Sequence, residues 1–168
     1  MEPGGPAHGP DAAHDPDGVF AALQARARAF AWTEVEDQAH RRAGQLVAGM
    51  AEEVHKVVGG LHAGDGSKVG YAAAGLTFAL GTAALLSTGT LIPTENRYLA
   101  LAQGAWADPA WRGAYGTLAG LTDETWPGRG RAGLRAYGRA VALARWPDQA
   151  LQTLAQEAAS KAAAFLSA

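Results

Sequence analysis

The sequence predicts an all-α protein, a compact multi-helix bundle of about six helices around a central uncharged Gly/Ala/Thr-rich helix. Three observations carry that prediction. The 168 residues include 40 Ala and 17 Leu against 8 Val and a single Ile, a balance that favours helix over strand. Apolar residues recur at steps of three and four along most of the chain, which is the period of a helix face. Cap signals stand ahead of several of these stretches, as Asp15-Pro16, Thr33 with Glu36, and Asp108-Pro109, where a side-chain oxygen or an N1 proline opens a helix.

Taken in order, residues 1–14 hold three prolines, three glycines and almost nothing apolar except Ala, too little to offset chain entropy. They read as a disordered acidic tail, with residues 15–168 forming one all-α domain. Asp15 and Pro16 open a first helix to about Ala31, its apolar positions at Val19, Phe20, Leu23, Ala27 and Phe30. From Thr33 a second helix follows, with Val35, Ala39, Ala43, Leu46, Val47, Met50, Val54, Val57 and Leu61 on one face and Gly59-Gly60 as its end. A turn at 62–67 offers Asp65 or Ser67 as a cap. Next come 26 uncharged residues, Val69 to Thr94, with the central helix at 69–88. Thr94 caps a helix to Trp106, and Asp108-Pro109 restarts one to about Leu121. Residues 122–130, with Pro127 and two glycines, read as a loop. Helices at about 131–145 and 148–166 close the chain, the last entered through Pro147.

The uncharged run poses a membrane question, because about 20 predominantly apolar residues suffice to span a bilayer. Gly70, Gly75, Gly81, Gly89 and six Ser or Thr residues dilute its Leu, Ile and Phe. Each of those apolar residues gains only about 0.3–0.6 kcal/mol at the bilayer centre, which leaves insertion near break-even. The same small residues suit a helix buried on all sides in a bundle. The expectation is therefore a core helix, with a span through 69–94 as the alternative.

Composition excludes several classes of chemistry. Without Cys there is no disulfide framework, thiolate nucleophile or cysteine-ligated metal. A net charge of −2 supplies no global pull toward nucleic acid, and nucleic acid is not an expected partner. The first residues lack the basic and apolar blocks of a signal peptide, so the expected location is the cytoplasm, or the membrane if 69–94 inserts.

Four constellations remain. Asp37 with His40 and Glu52 with His55 show the i,i+3 spacing of di-metal bundles, but they lie 15 residues apart on one helix, about 22 Å at 1.5 Å per residue, and no metal site is assigned. His62, Asp65 and Ser67 share one short loop, whereas a working triad takes its members from separately positioned elements. Arg131, Arg135 and Arg139 recur every four residues without an intervening acid, a basic stripe suited to anions. Tyr98, Trp106, Trp111, Tyr115 and Trp126 make residues 98–126 rich in aromatics. Aromatics line pockets and interfaces as readily as they fill cores, and Arg112 stands among them as an orienting charge.

Residues 95–112 look a little like the ligand-binding half of TetR-type repressors, without the helix-turn-helix half. Tyr137, Ala140 and Pro147 faintly resemble a tetratricopeptide repeat, without its period of about 34 residues. Neither implies a function. The reading is a non-catalytic helical protein that binds a protein partner or itself, with no cofactor. The alternatives are a membrane-associated protein and, third, a small-ligand-binding or metal-dependent helical domain.

Overall fold

Alanine-rich segments punctuated by Asp caps and left-handed glycines build the whole of the computed structural model, which describes residues 17–146 and 148–168. The expected tail, the Asp15-Pro16 helix start and the entry through Pro147 lie outside the described residues. The chain divides into two compact units, residues 1–34 and 35–168. In the first, helix α1 (Val19–Ala29) starts after Gly18, whose φ of 67° is left-handed, and a single 3-10 turn, Trp32–Glu34, follows. Helix α1 thus stops two residues short of Ala31, and none of its residues is buried.

The second unit contains seven α-helices and, among the described residues, no strand: α2 (Glu36–Gly49), α3 (Ala51–Ala63), α4 (Gly66–Thr88), α5 (Tyr98–Ala105), α6 (Pro109–Leu118), α7 (Trp126–Leu143) and α8 (Gln149–Ser167). Asp65 caps α4 by accepting from the Lys68 backbone N–H at 3.0 Å. Asp108 caps α6 by accepting from the Trp111 N–H, with Pro109 at the helix start. Asp148 caps α8 through the N–H groups of Ala150 and Leu151. Each cap satisfies backbone donors that the first turn leaves orphaned.

Helix α4 occupies the centre, packed against α2, α3, α5, α6 and α7. Its inner side supplies Val69, Leu76 and Leu80, all fully buried, each contributing about 1.5–3 kcal/mol by leaving water. Two glycines let neighbouring backbones reach Val69: a Cβ at Gly60 of α3 would stand 2.7 Å from Val69 Cγ2, and one at Gly130 of α7 would stand 2.7 Å from Val69 Cγ1. Among the described residues α4 is the one helix long and apolar enough to cross a membrane, with 56% of its most apolar window buried in the protein.

Five further expectations at element boundaries are corrected. The long second helix is two, broken at Met50, whose N–H turns back to Val47 O; the preceding Gly49 weakens the helix there. Gly60 does not end α3, because its missing side chain serves the contact with Val69; the end falls at Gly64, φ 67°. Thr33 caps nothing, since α2 begins at Glu36. The supposed loop at 122–130 is helix from Trp126, because Pro127 sits in the first turn, where no N–H is needed, and Gly130 is a packing residue. Thr94 precedes a 3-10 turn, Glu95–Arg97, without a side-chain cap bond.

Candidate functional site

The outer side of α4 is where the fold departs most from ordinary solvation. Helical spacing turns Gly70, Tyr71, Ala74, Gly75 and Phe78 outward, and all five are exposed, Tyr71 at 74% and Phe78 at 62%. The chain beyond α4 adds Leu91 at 74% and Ile92 at 44%. A helix buried on all sides is thus not what forms. The same uncharged run that fills the core on one side presents two aromatic rings on the other.

These rings are held. Tyr98 donates its hydroxyl to Phe78 O at 2.6 Å and lies 2.9 Å from Thr82 Oγ1, and its ring stacks at a tilt on Phe78, centroids 5.8 Å apart. Lys56 stands 5.8 Å from the Tyr71 ring centroid while paired with Glu52 at 3.0 Å and Glu53 at 2.7 Å. Those two carboxylates, Glu53 first, hold the Lys56 ammonium above its ordinary range. Phe78 separates two shallow clefts. One, of about 290 Å³, is lined by Met50, Glu53, Tyr71, Ala74, Gly75 and Phe78. The other, of about 440 Å³, lies among Phe78, Ile92, Glu95, Tyr98 and Leu99. The face therefore alternates ridges with holes.

The aromatic region of 98–126 turns mostly inward. Trp106, Trp111 and Tyr115 are buried, with Trp106 edge-on to Trp111 and Trp111 stacked on Tyr115, both pairs at 4.7 Å. Their polar handles are spent on the backbone: Trp111 Nε1 donates to Ala102 O at 3.1 Å and the Tyr115 hydroxyl to Thr77 O at 3.1 Å. Burial raises the Tyr115 hydroxyl above the usual tyrosine range, and the neighbouring Tyr98 adds to it, so it remains a donor. Gly81 makes room for this cluster, since a Cβ there would meet the hydroxyls of Tyr115 and Tyr98. Trp126, 40% exposed, lies against Gly66 at the start of α4. Arg112 lines a separate surface cleft of about 470 Å³ with Gln103, Asp108 and Thr122. Tyr98 is the one member of the aromatic group that borders the α4 face.

The basic stripe is dispersed. Arg131 sits over the Phe165 ring at 5.7 Å, Arg139 pairs with Asp108, and Arg135 is exposed. The flanking Arg129 donates to Leu118 O at 3.1 Å, and Arg145 pairs with Glu36 at 3.0 Å. His40 stands 3.4 Å from Glu36 rather than beside Asp37. Glu52 is held by Lys56. Among the described residues no three His, Asp or Glu side chains gather closely enough to hold a metal. Asp65 is occupied as a cap and His62 stands edge-on to Phe165 at 5.1 Å.

Sequence reading missed Tyr71, Phe78, Leu91 and Ile92 as surface groups. The signal was present in the spacing of Tyr71 and Phe78, seven residues apart with Gly70, Ala74 and Gly75 on the same stripe. No protein-family profile, curated protein or solved structure matches this chain.

Proposed function

We propose that this protein is a non-catalytic, cytoplasmic helical protein that associates with a second copy of itself through the outer face of α4. One observation carries the reading: a central helix, uncharged from Val69 onward, exposes Tyr71 and Phe78 beside the small residues Gly70, Ala74 and Gly75. Exposed apolar surface of this kind marks interaction sites. An isologous contact needs a patch complementary to itself, and a face that carries both ridges and holes meets that requirement. A Cβ at Gly70 would touch nothing within 4 Å, so a partner helix can approach closely there.

Light scattering across a concentration series tests the proposal. The wild-type mass is expected to rise toward that of a dimer, whereas Tyr71→Glu/Phe78→Glu stays monomeric with an unchanged helical spectrum, because both side chains are exposed. A wild-type chain that remains monomeric at high concentration contradicts the proposal.

A second reading rests on the length and hydropathy of α4, 23 residues with a mean hydropathy of 1.6 over its most apolar window. In it the same outer face meets lipid. The inner side then needs its bundle contacts to survive in the bilayer or be exchanged for others. Fractionation with an alkaline wash separates the two readings, the first expecting the chain in the supernatant and the second in the pellet.

A further inference from the structure

A groove runs between α6, α7 and α8, away from the α4 face. It encloses about 390 Å³, within the range of small-ligand sites. Its walls are apolar, with Leu134 and Gly138 from α7 and Ala163 and Leu166 from α8. It exists because the sequence places Ala and Gly where three helices meet. At Gly138 an added Cβ would touch nothing within 4 Å, so space rather than packing lies above that residue.

Only two lining residues are charged, and both are arginines, Arg135 and Arg139. Arg139 is fixed in place by Asp108, which is itself held by its cap bond to the Trp111 N–H. Its Nε–H is buried without a hydrogen-bond partner, out of reach of a ligand in the groove. Asp108 neutralises Arg139, while Arg135 enters no ion pair among the described residues. The groove therefore carries one uncompensated positive charge at its edge and an apolar interior. A cationic or purely polar ligand fits neither feature, and an uncharged alkane leaves Arg135 unused.

We infer that this groove binds a medium-chain alkyl carboxylate, its tail along Leu134, Ala163 and Leu166 and its carboxylate on the exposed Arg135 guanidinium. Guanidinium and carboxylate match in charge and in planar donor–acceptor geometry. The inference does not depend on self-association, since the groove shares no lining residue with the two clefts on the α4 face.

Calorimetric titration of the full-length chain with decanoate, below its micelle-forming concentration, tests it. Decanol and decyltrimethylammonium serve as the neutral and cationic comparisons. Saturable one-to-one binding of decanoate is expected, with decanol about tenfold weaker or more and the cation not bound. Arg135→Gln, at an exposed position, is expected to weaken decanoate about tenfold, the order of one charge-assisted hydrogen bond, and to leave decanol unchanged. Gly138→Leu, which fills the open space, is expected to lose both ligands while its helical spectrum stays native. Non-saturable uptake, equal binding of all three amphiphiles, or decanoate binding that survives both substitutions in folded protein overturns the inference.

Discussion

Helices α4 and α7 bury nearly the same share of themselves, ten of 23 residues and eight of 18, yet they end up as opposite kinds of surface. The exposed half of α4 carries Tyr71, Phe78 and small residues with no charge after Lys68. The outer side of α7 carries arginines, three of which find individual partners in Phe165, Asp108 and the Leu118 carbonyl, while Arg135 faces solvent. Burial alone does not distinguish a core helix from an interface helix. What distinguishes them is whether the outward residues have any means of being solvated or paired.

The inner sides should respond alike and strongly. Leu76→Ala in α4 and Leu134→Ala in α7 both remove buried side chains and should each cost about 2–5 kcal/mol in urea unfolding. A small loss at one and a large loss at the other would break the symmetry claimed for the two cores.

Glycine substitutions should give opposite signs. Gly130→Ala in α7 drives a Cβ toward Val69, and overpacking of this sort costs about 1–3 kcal/mol. Gly70→Ala in α4 meets open space and should stabilise the monomer by about 0.5–1 kcal/mol, the ordinary preference of a helix for Ala. Thermal unfolding of both variants checks the contrast, and a stabilising Gly130→Ala would mean that the α7 backbone is not pressed against Val69.

A smaller effect separates the two helices by pH. The Asp108 carboxyl is held below its ordinary range, first by the Trp111 backbone N–H and then by Arg139 of α7. A carboxyl depressed on folding contributes stability that is fully present above its unfolded pKa and lost as pH falls through the lower folded value. The wild-type melting temperature should therefore fall more steeply than that of Asp108→Asn in that acidic window. Parallel curves would show that the Asp108 contacts do not couple to stability. Smallest of all, Phe78→Ala should leave monomer stability within about 0.5 kcal/mol, as surface changes usually do, while weakening association.

Much of this was legible beforehand, and the failures share a cause. The all-α class, the Asp108 cap, a cap at Asp65 or Ser67 and the helix at 69–88 follow from local rules, because caps and periodicity act within one turn; the structure chooses Asp65. Gly60 and Gly130 were read as helix ends or loop because glycine is intrinsically a poor helix former. In the fold they are close-contact positions, a role set by Val69 from another helix. The 69–88 helix was expected to be core throughout for the matching reason. Composition shows that a helix is uncharged, whereas which side its neighbours leave open is decided by α2, α3, α5, α6 and α7 together. The groove beside Arg135 and Arg139 was legible only as a row of arginines, since the Ala and Gly positions that open it lie on three separate helices.

Disulfide trapping tests the central claim most directly, and the absence of native Cys makes it clean. Gly70→Cys, Ala74→Cys and Gly75→Cys, introduced one at a time, are oxidised beside Ser160→Cys on the exposed side of α8. The account predicts rapid covalent dimer from at least one α4 cysteine and none from position 160. Equal or absent trapping at all four positions would contradict it.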